Sequence, residues 1–416
     1  MKLSKTLLAS LLATAAVATA SAQTKIYVTG STAFRSAAVS AITSVVGVAP
    51  SAYDGATSGV TSANNANAAT WTGGTVGGQA VTIKASFSGS AGGIQTVAGS
   101  LNVRFLVDGA NTTAADPRNT ANPAEVAVPN VAFSDAFQGS TPFNRTFAGV
   151  TYNTLADTQV GVVTFKWVAS NGFPGTNVNN IQLQQLFSAG FAPLALFTGN
   201  ATGNGTVRTG DQLQVVYATG RDFDSGTRLS AFADSGVGAL ATVVQYKPTV
   251  SGNTITALAK YPITTINGVS TGSLGNGGES SGSSLRGFTN KVLTASAYQT
   301  EDGSANGGFL LTYLGVSDAT TVLPGGSGAG AAPAVELSFN GVPFSTNAVQ
   351  QGSYSFWGYE HVLYRSTQGG IQKTFGDNLS NQILSLSTAS LSPNVAISDM
   401  AVQRGGDGSP ISPVYL

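Results

Sequence analysis

The 416-residue chain has no cysteine, one histidine, two methionines and few charges. Without cysteine there are no disulfides, no thiolate metal site, no thiol nucleophile and no lipid-bearing cysteine behind a leader. A lone histidine excludes the usual zinc sites, which need further His or Cys ligands. Charged residues make up 9% of the chain, with 19 basic against 19 acidic side chains, well below the roughly 25% of an average soluble domain. That balance argues against nucleic acid as a partner, because binding polyanions needs clustered Lys and Arg to replace counterions. No apolar run after the N-terminus is long enough to span a bilayer. Nothing in the sequence calls for a metal or another cofactor.

What is abundant is glycine, 52 residues, together with Ser, Thr and Asn, the composition of secreted proteins whose solubility rests on hydroxyls and amides. The N-terminus reads as an export signal: Lys2 and Lys5, an apolar run from Leu7 to Ala18, then Ala20-Ser21-Ala22 before Gln23. The expectation is a signal peptide over 1–22, cleavage near Ala22, and a periplasmic or secreted monomer. A β-rich adhesin or surface-layer protein also fits this composition.

Strand-like runs lie at Ile26–Thr29, Val81–Phe87, Val126–Phe133, Val160–Val168 and Leu213–Thr219. Helical runs follow several of them: Ala33–Val46, Gly93–Val97 and beyond, Ile181–Ser188 and Arg228–Ala233. The alternation predicts an α/β fold with wholly or mostly parallel sheets. Gly47–Gly78, Gly109–Pro123, Ile266–Ser284 and Pro324–Pro333 are small and polar without a period, and read as inserted surface loops.

Three segments share one grammar, a strand, a tight Gly/Ser/Thr loop, then a helix: Tyr27–Arg35, Ser86–Ile94 and Tyr217–Thr227. Backbone N–H groups at a helix start, the positive end of the helix dipole and nearby hydroxyls can hold a tetrahedral oxyanion with few cations. Ser or Thr at a helix start is more often a plain N-cap; three such loops, the last carrying Arg221, favour an anion site.

The order of Gly30-Ser-Thr-Ala-Phe34, Gly89-Ser-Ala-Gly-Gly-Ile-Gln95, Phe133-Ser-Asp135 and Arg221-Asp-Phe-Asp-Ser-Gly-Thr227 resembles the phosphate-binding receptors of bacterial phosphate ABC importers, a type II periplasmic binding protein family. Gly277–Gly282, Gly307–Tyr313 and Ser355–Tyr364 add further echoes. The resemblance implies a two-lobed type II periplasmic-binding-protein fold with Gly/Ser/Thr-rich insertions and no enzymatic activity. Lobe one would comprise 23–158 plus 359–416, and lobe two 159–358. It further implies inorganic phosphate, or a similar oxyanion, held by Ser31, Thr32, Ala33, Phe34, Ser90 and Asp135 of lobe one and by Arg221, Ser225, Gly226 and Thr227 of lobe two, with an inner-membrane ABC permease as partner.

Some of this chemistry can be argued from the residues. An ionised Asp135 only accepts hydrogen bonds, so it favours an anion that still carries a proton. Arg221 offers a planar fork that suits two oxygens. The chain departs from the family at Asp224, where the usual residue is glycine and an inward carboxylate would repel a dibasic anion. It departs again at Ala33, which changes which N–H groups face a ligand. Arg35 reads as an exposed helix-surface residue. His361, in Trp357-Gly-Tyr-Glu-His361, reads as a packing or hydrogen-bonding residue near the crossover strand; Gly278–Gly282 spells a serine-hydrolase motif but has no strand ahead of it. The competing class is a structural or adhesive surface protein that keeps the fold without transport.

Overall fold

The computed structural model describes residues 23–201, 210–294 and 307–414. The expected signal peptide over 1–22 lies outside them. The protein is α/β, with strands β1 (Thr24–Gly30), β2 (Ala68–Val76), β3 (Gln79–Ser86), β4 (Val131–Ser134), β5 (Leu155–Ala169), β6 (Val215–Ala218), β7 (Gly308–Gly315), β8 (Val335–Phe339) and β9 (Trp357–Arg365). The helices used below are α1 (Arg35–Val46), α2 (Ser90–Ala98), α3 (Asn180–Ala189), α4 (Gly226–Asp234), α5 (Gly282–Thr289), α6 (Val316–Val322) and α7 (Gly370–Leu384). Among the described residues no helix is long and apolar enough to cross a membrane.

One 12-stranded sheet runs through the molecule in the order β6, β7, β5, β9, β4, β1, β3, β2, with two-residue and three-residue strands at its ends and β8 paired to β5. Pairing is parallel where β1 meets β3 and β4, and where β6 meets β7. It is antiparallel at β5 with β7, β8 and β9, at β9 with β4, and at β2 with β3. The sheet is thus mixed rather than mostly parallel. Parallel units form where a helix carries the chain back, and β5 and β9 reverse direction where the chain passes between the two halves.

β5 is the strand both halves share. Leu155–Thr164 pairs with β9, Phe165–Ala169 pairs with β7, and Trp167–Ala169 pairs also with β8. At the changeover Trp167 stacks on Phe356, ring centroids 5.1 Å apart, with Tyr313 edge-on at 5.7 Å. This aromatic cluster is fully buried.

Three further expectations change. The polar stretch 47–78 is not only loop, for it contains β2, whose Trp71 is buried and donates through Nε1 to Thr43 Oγ1 at 3.0 Å. Small residues and threonines disguise a strand whose inner positions are apolar enough to pack on α1. The run Val126–Phe133 breaks in two, at 125–127 and 131–134, because Pro129 between them has no N–H to give a ladder. Within 266–284, a short hairpin (Thr265–Ile266 with Val269–Ser270) and the start of α5 replace the expected loop.

α1 forms because Ala38, Val39, Ala41, Ile42 and Val46 recur at helical spacing and all face inward. It ends at Gly47, whose left-handed backbone (φ 74°) lets its N–H reach the Thr43 carbonyl. Gly30, at the end of β1, has φ 109°, and a Cβ built there would sit 1.9 Å from the Phe133 carbonyl oxygen. Ser31 N–H donates to that same oxygen at 2.8 Å. The close approach sets the first loop beside the end of β4. Gly30→Ala should therefore destabilise the fold by about 3 kcal/mol or more, through backbone strain and collision together. Urea unfolding measures this directly, and an unchanged midpoint would mean that the two strand ends do not meet as described.

Candidate functional site

The loops after β3 and β6 bring Ser90 and Thr227 to the carboxyl of Asp135, which follows β4 and is 1% exposed. Ser90, the first residue of α2, donates its hydroxyl to Oδ1, and its Oγ accepts the Asp135 N–H at 3.2 Å. Thr227, in the first turn of α4, donates to Oδ2 at 3.2 Å. Ser230, one turn on, donates to the Asp135 carbonyl at 3.3 Å. Burial pushes the carboxyl above the usual carboxylate range, while the Ser90 bond, the charge of Arg221 and the Thr227 bond pull it back. Gly226 is needed for closeness: a Cβ there would lie 1.7 Å from Asp135 Oδ1 and 2.7 Å from Ser90 Cβ.

Arg221 is 3% exposed. Its Nε donates to the Glu279 carbonyl at 3.0 Å, and Nη2 donates to the Ser280 carbonyl at 3.0 Å and to Thr32 Oγ1 at 3.5 Å. A parallel bridge between Arg221 and Glu279 fixes the two segments, and Arg221 N–H donates to the Tyr313 hydroxyl at 3.2 Å. Arg228 supports the same loop, donating to the Arg221 and Asn276 carbonyls. The guanidinium thus reaches across from the α4 side to the loop after β1.

The remaining residues fall into distinct places. Ser31 is buried and its Oγ accepts the Phe34 N–H at 3.3 Å. The Phe34 ring lies in the core, and Phe34 is the N-cap of α1. Thr32 and Ala33 line a cleft of about 140 Å³ together with Arg35, Arg286 and Asp318. Ser225 is turned toward its own helix, its Oγ accepting the Arg228 N–H at 3.2 Å, which leaves its proton free to be donated elsewhere. Asp224 does not face Asp135. Its carbonyl accepts the Ala91 N–H at 2.9 Å and its Oδ2 accepts from Asn267 at 2.9 Å, while burial and the nearby Asp222 push its carboxyl well up. Among the described residues no group of His, Asp and Glu is placed to hold a metal.

Sequence reasoning misplaced one residue and missed another. Arg35 is not an exposed surface residue. It is half-buried, its Nη1 donates to Asn67 Oδ1 at 2.9 Å, and burial pulls its pKa down to about 10. The segment 64–67 folds back over the start of α1 and covers it. Glu360 is the missed one: fully buried in β9, it lies beside Asp135, with the Ser31 hydroxyl near its carboxyl. Its neighbour His361 drew attention instead and faces the other side of the sheet, with Nδ1 2.7 Å from Asp157 Oδ1 and its ring edge-on to Phe137. The available signal was an acid in a strand apolar on both faces, since glutamate is almost never fully buried without a partner.

No protein-family model and no curated protein matches the chain. Among solved structures it is similar to a Clostridium perfringens protein described as a candidate phosphate ABC transporter substrate-binding protein, solved with bound phosphate, at 12% identity over 87% of this chain and 93% of that one, TM-score 0.41. An ABC-type phosphate transport receptor from Vibrio cholerae follows at 11% identity, 88% and 96% coverage and TM-score 0.38. An OxyR mutant from Corynebacterium glutamicum is similar at 8% identity, 88% and 66% coverage and TM-score 0.34. At such scores the weight falls on the chain's own residues.

The contact between α4 and Asp135 is open to a direct check. Gly226→Ala must move the start of α4 away from the carboxyl and break the Thr227 bond, at a cost of about 2–4 kcal/mol in stability. Thermal and urea unfolding should both register it. Parental stability would mean that Asp135 is not packed against α4 in solution.

Proposed function

We propose that the chain is an exported substrate-binding protein that captures phosphate, or a related tetrahedral oxyanion, between two lobes and delivers it to an ABC importer. In this reading 23–158 with 359–416 form one lobe and 159–358 the other. Both boundaries fall inside continuous strands, β5 and β9. The final stretch of the chain leans on the second lobe, since Ala401 N–H donates to the Gln350 carbonyl and Arg404 pairs with Asp234 at 2.7 Å.

One observation carries the reading. Four loops from distant parts of the sequence bring an acceptor, Asp135, a cation, Arg221, and the hydroxyls of Ser31, Thr32, Ser90 and Thr227 together, at the starts of α1, α2 and α4. An adhesive protein has no need of a buried arginine aimed from one half of the chain at the hydroxyl of the other. The N–H groups of Ala33, Phe34 and Gly226 and the free proton of Ser225 complete a set of neutral donors that suits an anion without many cations.

The chemistry also gives selectivity. Asp135 accepts the proton of a protonated oxyanion, which phosphate and arsenate carry at neutral pH and sulfate does not. Arg221 supplies the only charged fork named in the set, and its reach to Thr32 links the halves.

Calorimetric titration of the mature protein should show phosphate and arsenate binding, with sulfate far weaker. Asp135→Asn should narrow that gap, because an amide donates as well as accepts. Equal affinity for phosphate and sulfate in the parent removes the proton-sensing role.

Arg221→Ala should cost about 2–5 kcal/mol of binding, roughly thirtyfold to several thousandfold in Kd. Arg221→Lys should recover part of it, since a point ammonium cannot reproduce the two-oxygen fork. Phosphate-induced compaction in small-angle scattering should appear in the parent and vanish in Arg221→Ala. Parental affinity in that variant would leave Arg221 a structural residue and the receptor reading without its main support.

A further inference from the structure

β9 runs Trp357-Gly-Tyr-Glu-His-Val-Leu-Tyr-Arg365, and every residue from Trp357 to Tyr364 is buried. The register of β9 with β4 sets His361 opposite Ser134 and Val362 opposite Phe133, so one step further brings Glu360 alongside Asp135. Its carboxyl is 0% exposed, and neither oxygen makes a hydrogen bond of good geometry, the Ser31 hydroxyl being the donor beside it. A charged carboxylate cannot be kept dry and unpartnered; it takes up a proton instead.

The groups around it divide the labour. Asp135 faces Glu360 from the loop after β4, Ser31 from the loop after β1, and Arg221 acts on Asp135 from the α4 side. α2 brings Ser90 and no ionisable side chain to this point. On the other face of the sheet His361 and Asp157 are bonded to each other, and Lys373 and Asp377 of α7 sit at the far end with Tyr364. Asp135 receives two hydroxyl donors and the field of Arg221, whereas Glu360 has the Ser31 hydroxyl beside it and no cation. Two carboxyls this close do not both ionise. Asp135 holds the negative charge and Glu360 the proton, in keeping with the strong upward push that burial, and then Asp135, give the Glu360 carboxyl.

We propose that Glu360 is a further contact of the oxyanion site and works as a neutral acid, its O–H donating to an anion oxygen while Asp135 accepts the ligand's own proton. This rests on the oxyanion reading above and narrows it: the site takes a tetrahedral oxyanion that is still protonated and carries as little charge as possible. The sign of the pH dependence follows. With its carboxyl pushed well above the ordinary range, Glu360 holds its proton to higher pH than a free glutamate, and once ionised it repels the ligand. Binding weakens on the alkaline side beyond what the ligand's own ionisation requires.

The test uses the mature protein, inorganic phosphate, and the variants Glu360→Gln and Glu360→Leu, titrated at neutral pH and at about pH 9. The amide keeps a neutral donor, so Glu360→Gln should stay within about threefold of the parent at neutral pH, whereas Glu360→Leu should bind at least about tenfold more weakly. From neutral to alkaline pH the parent should lose about tenfold more affinity than Glu360→Gln. Infrared difference spectra of the parent, with and without phosphate, should show a protonated carboxyl band that shifts on binding and is missing from Glu360→Gln. That band is read on the parent, so the test holds even if a variant fails to fold.

Parental affinity in Glu360→Leu, or absence of a phosphate-sensitive acid band, overturns the role of Glu360 and leaves the oxyanion reading standing. A parent that binds no phosphate at all overturns both.

Discussion

The structure is organised around the need to keep one carboxyl, that of Asp135, out of water. A buried acid must be given donors or a proton, and the chain supplies donors from the first turns of two helices that start at the sheet's edge. Ser90 and Thr227 serve because each stands where a helix begins, so the hydroxyl and the helix dipole act on the same spot. Gly226 follows from the same constraint, for α4 can come this near only without a side chain at that position. Ser31, Arg221 and Glu360 are placed by their distance from the same point.

The sheet determines how those helices are brought together. Because β5 pairs with β9 along its first part and with β7 and β8 along its last, backbone hydrogen bonds run without a break from one half of the molecule to the other. Any change in the angle between the halves must be absorbed inside these strands. The register shift between Gln159 and Gly161 is one place where the ladder is already irregular, and the Trp167 cluster lies just beyond it. Any relative motion of the halves would therefore be confined to a few residues and leave the loops on either side intact.

Much of this was legible locally. Glycine and hydroxyl residues punctuate β1, β3 and β6 just where their helices start, so the three loops and most of the proposed contacts could be read from short windows. What escaped reading depends on distant pairing. Strand direction at β5 and β9 is decided by partners far along the chain, so the mixed sheet was read as mostly parallel. β2 has the small polar residues of a loop and becomes a strand only because β3 and α1 cover it. Arg35 carries no mark of burial in its own segment, since its cover comes from residues 64–67. Glu360 could have been found, because an acid among residues apolar on both faces contradicts its surroundings, but the single histidine beside it was the rarer letter.

Arg221 and Arg35 share a property with consequences beyond the cleft itself. Both hydrogen-bond to uncharged oxygens, the first to two carbonyls and a hydroxyl and the second to an amide. Among the described residues neither forms an ion pair, whereas the neighbouring Arg286 is matched by Asp318 at 2.8 Å. Their charge is held in place by neutral oxygens, and carboxyls act on it only through space, Asp135 and Asp222 on Arg221 and Asp318 on Arg35. In a chain with zero formal net charge and only 9% charged residues, the local fields of these few charges have few competitors. Such fields reach about 8 Å at physiological ionic strength, and added salt shortens that reach. If the proposed function holds, capture would be faster in dilute water than in brine, while the molecule as a whole would still look electrically neutral from a distance.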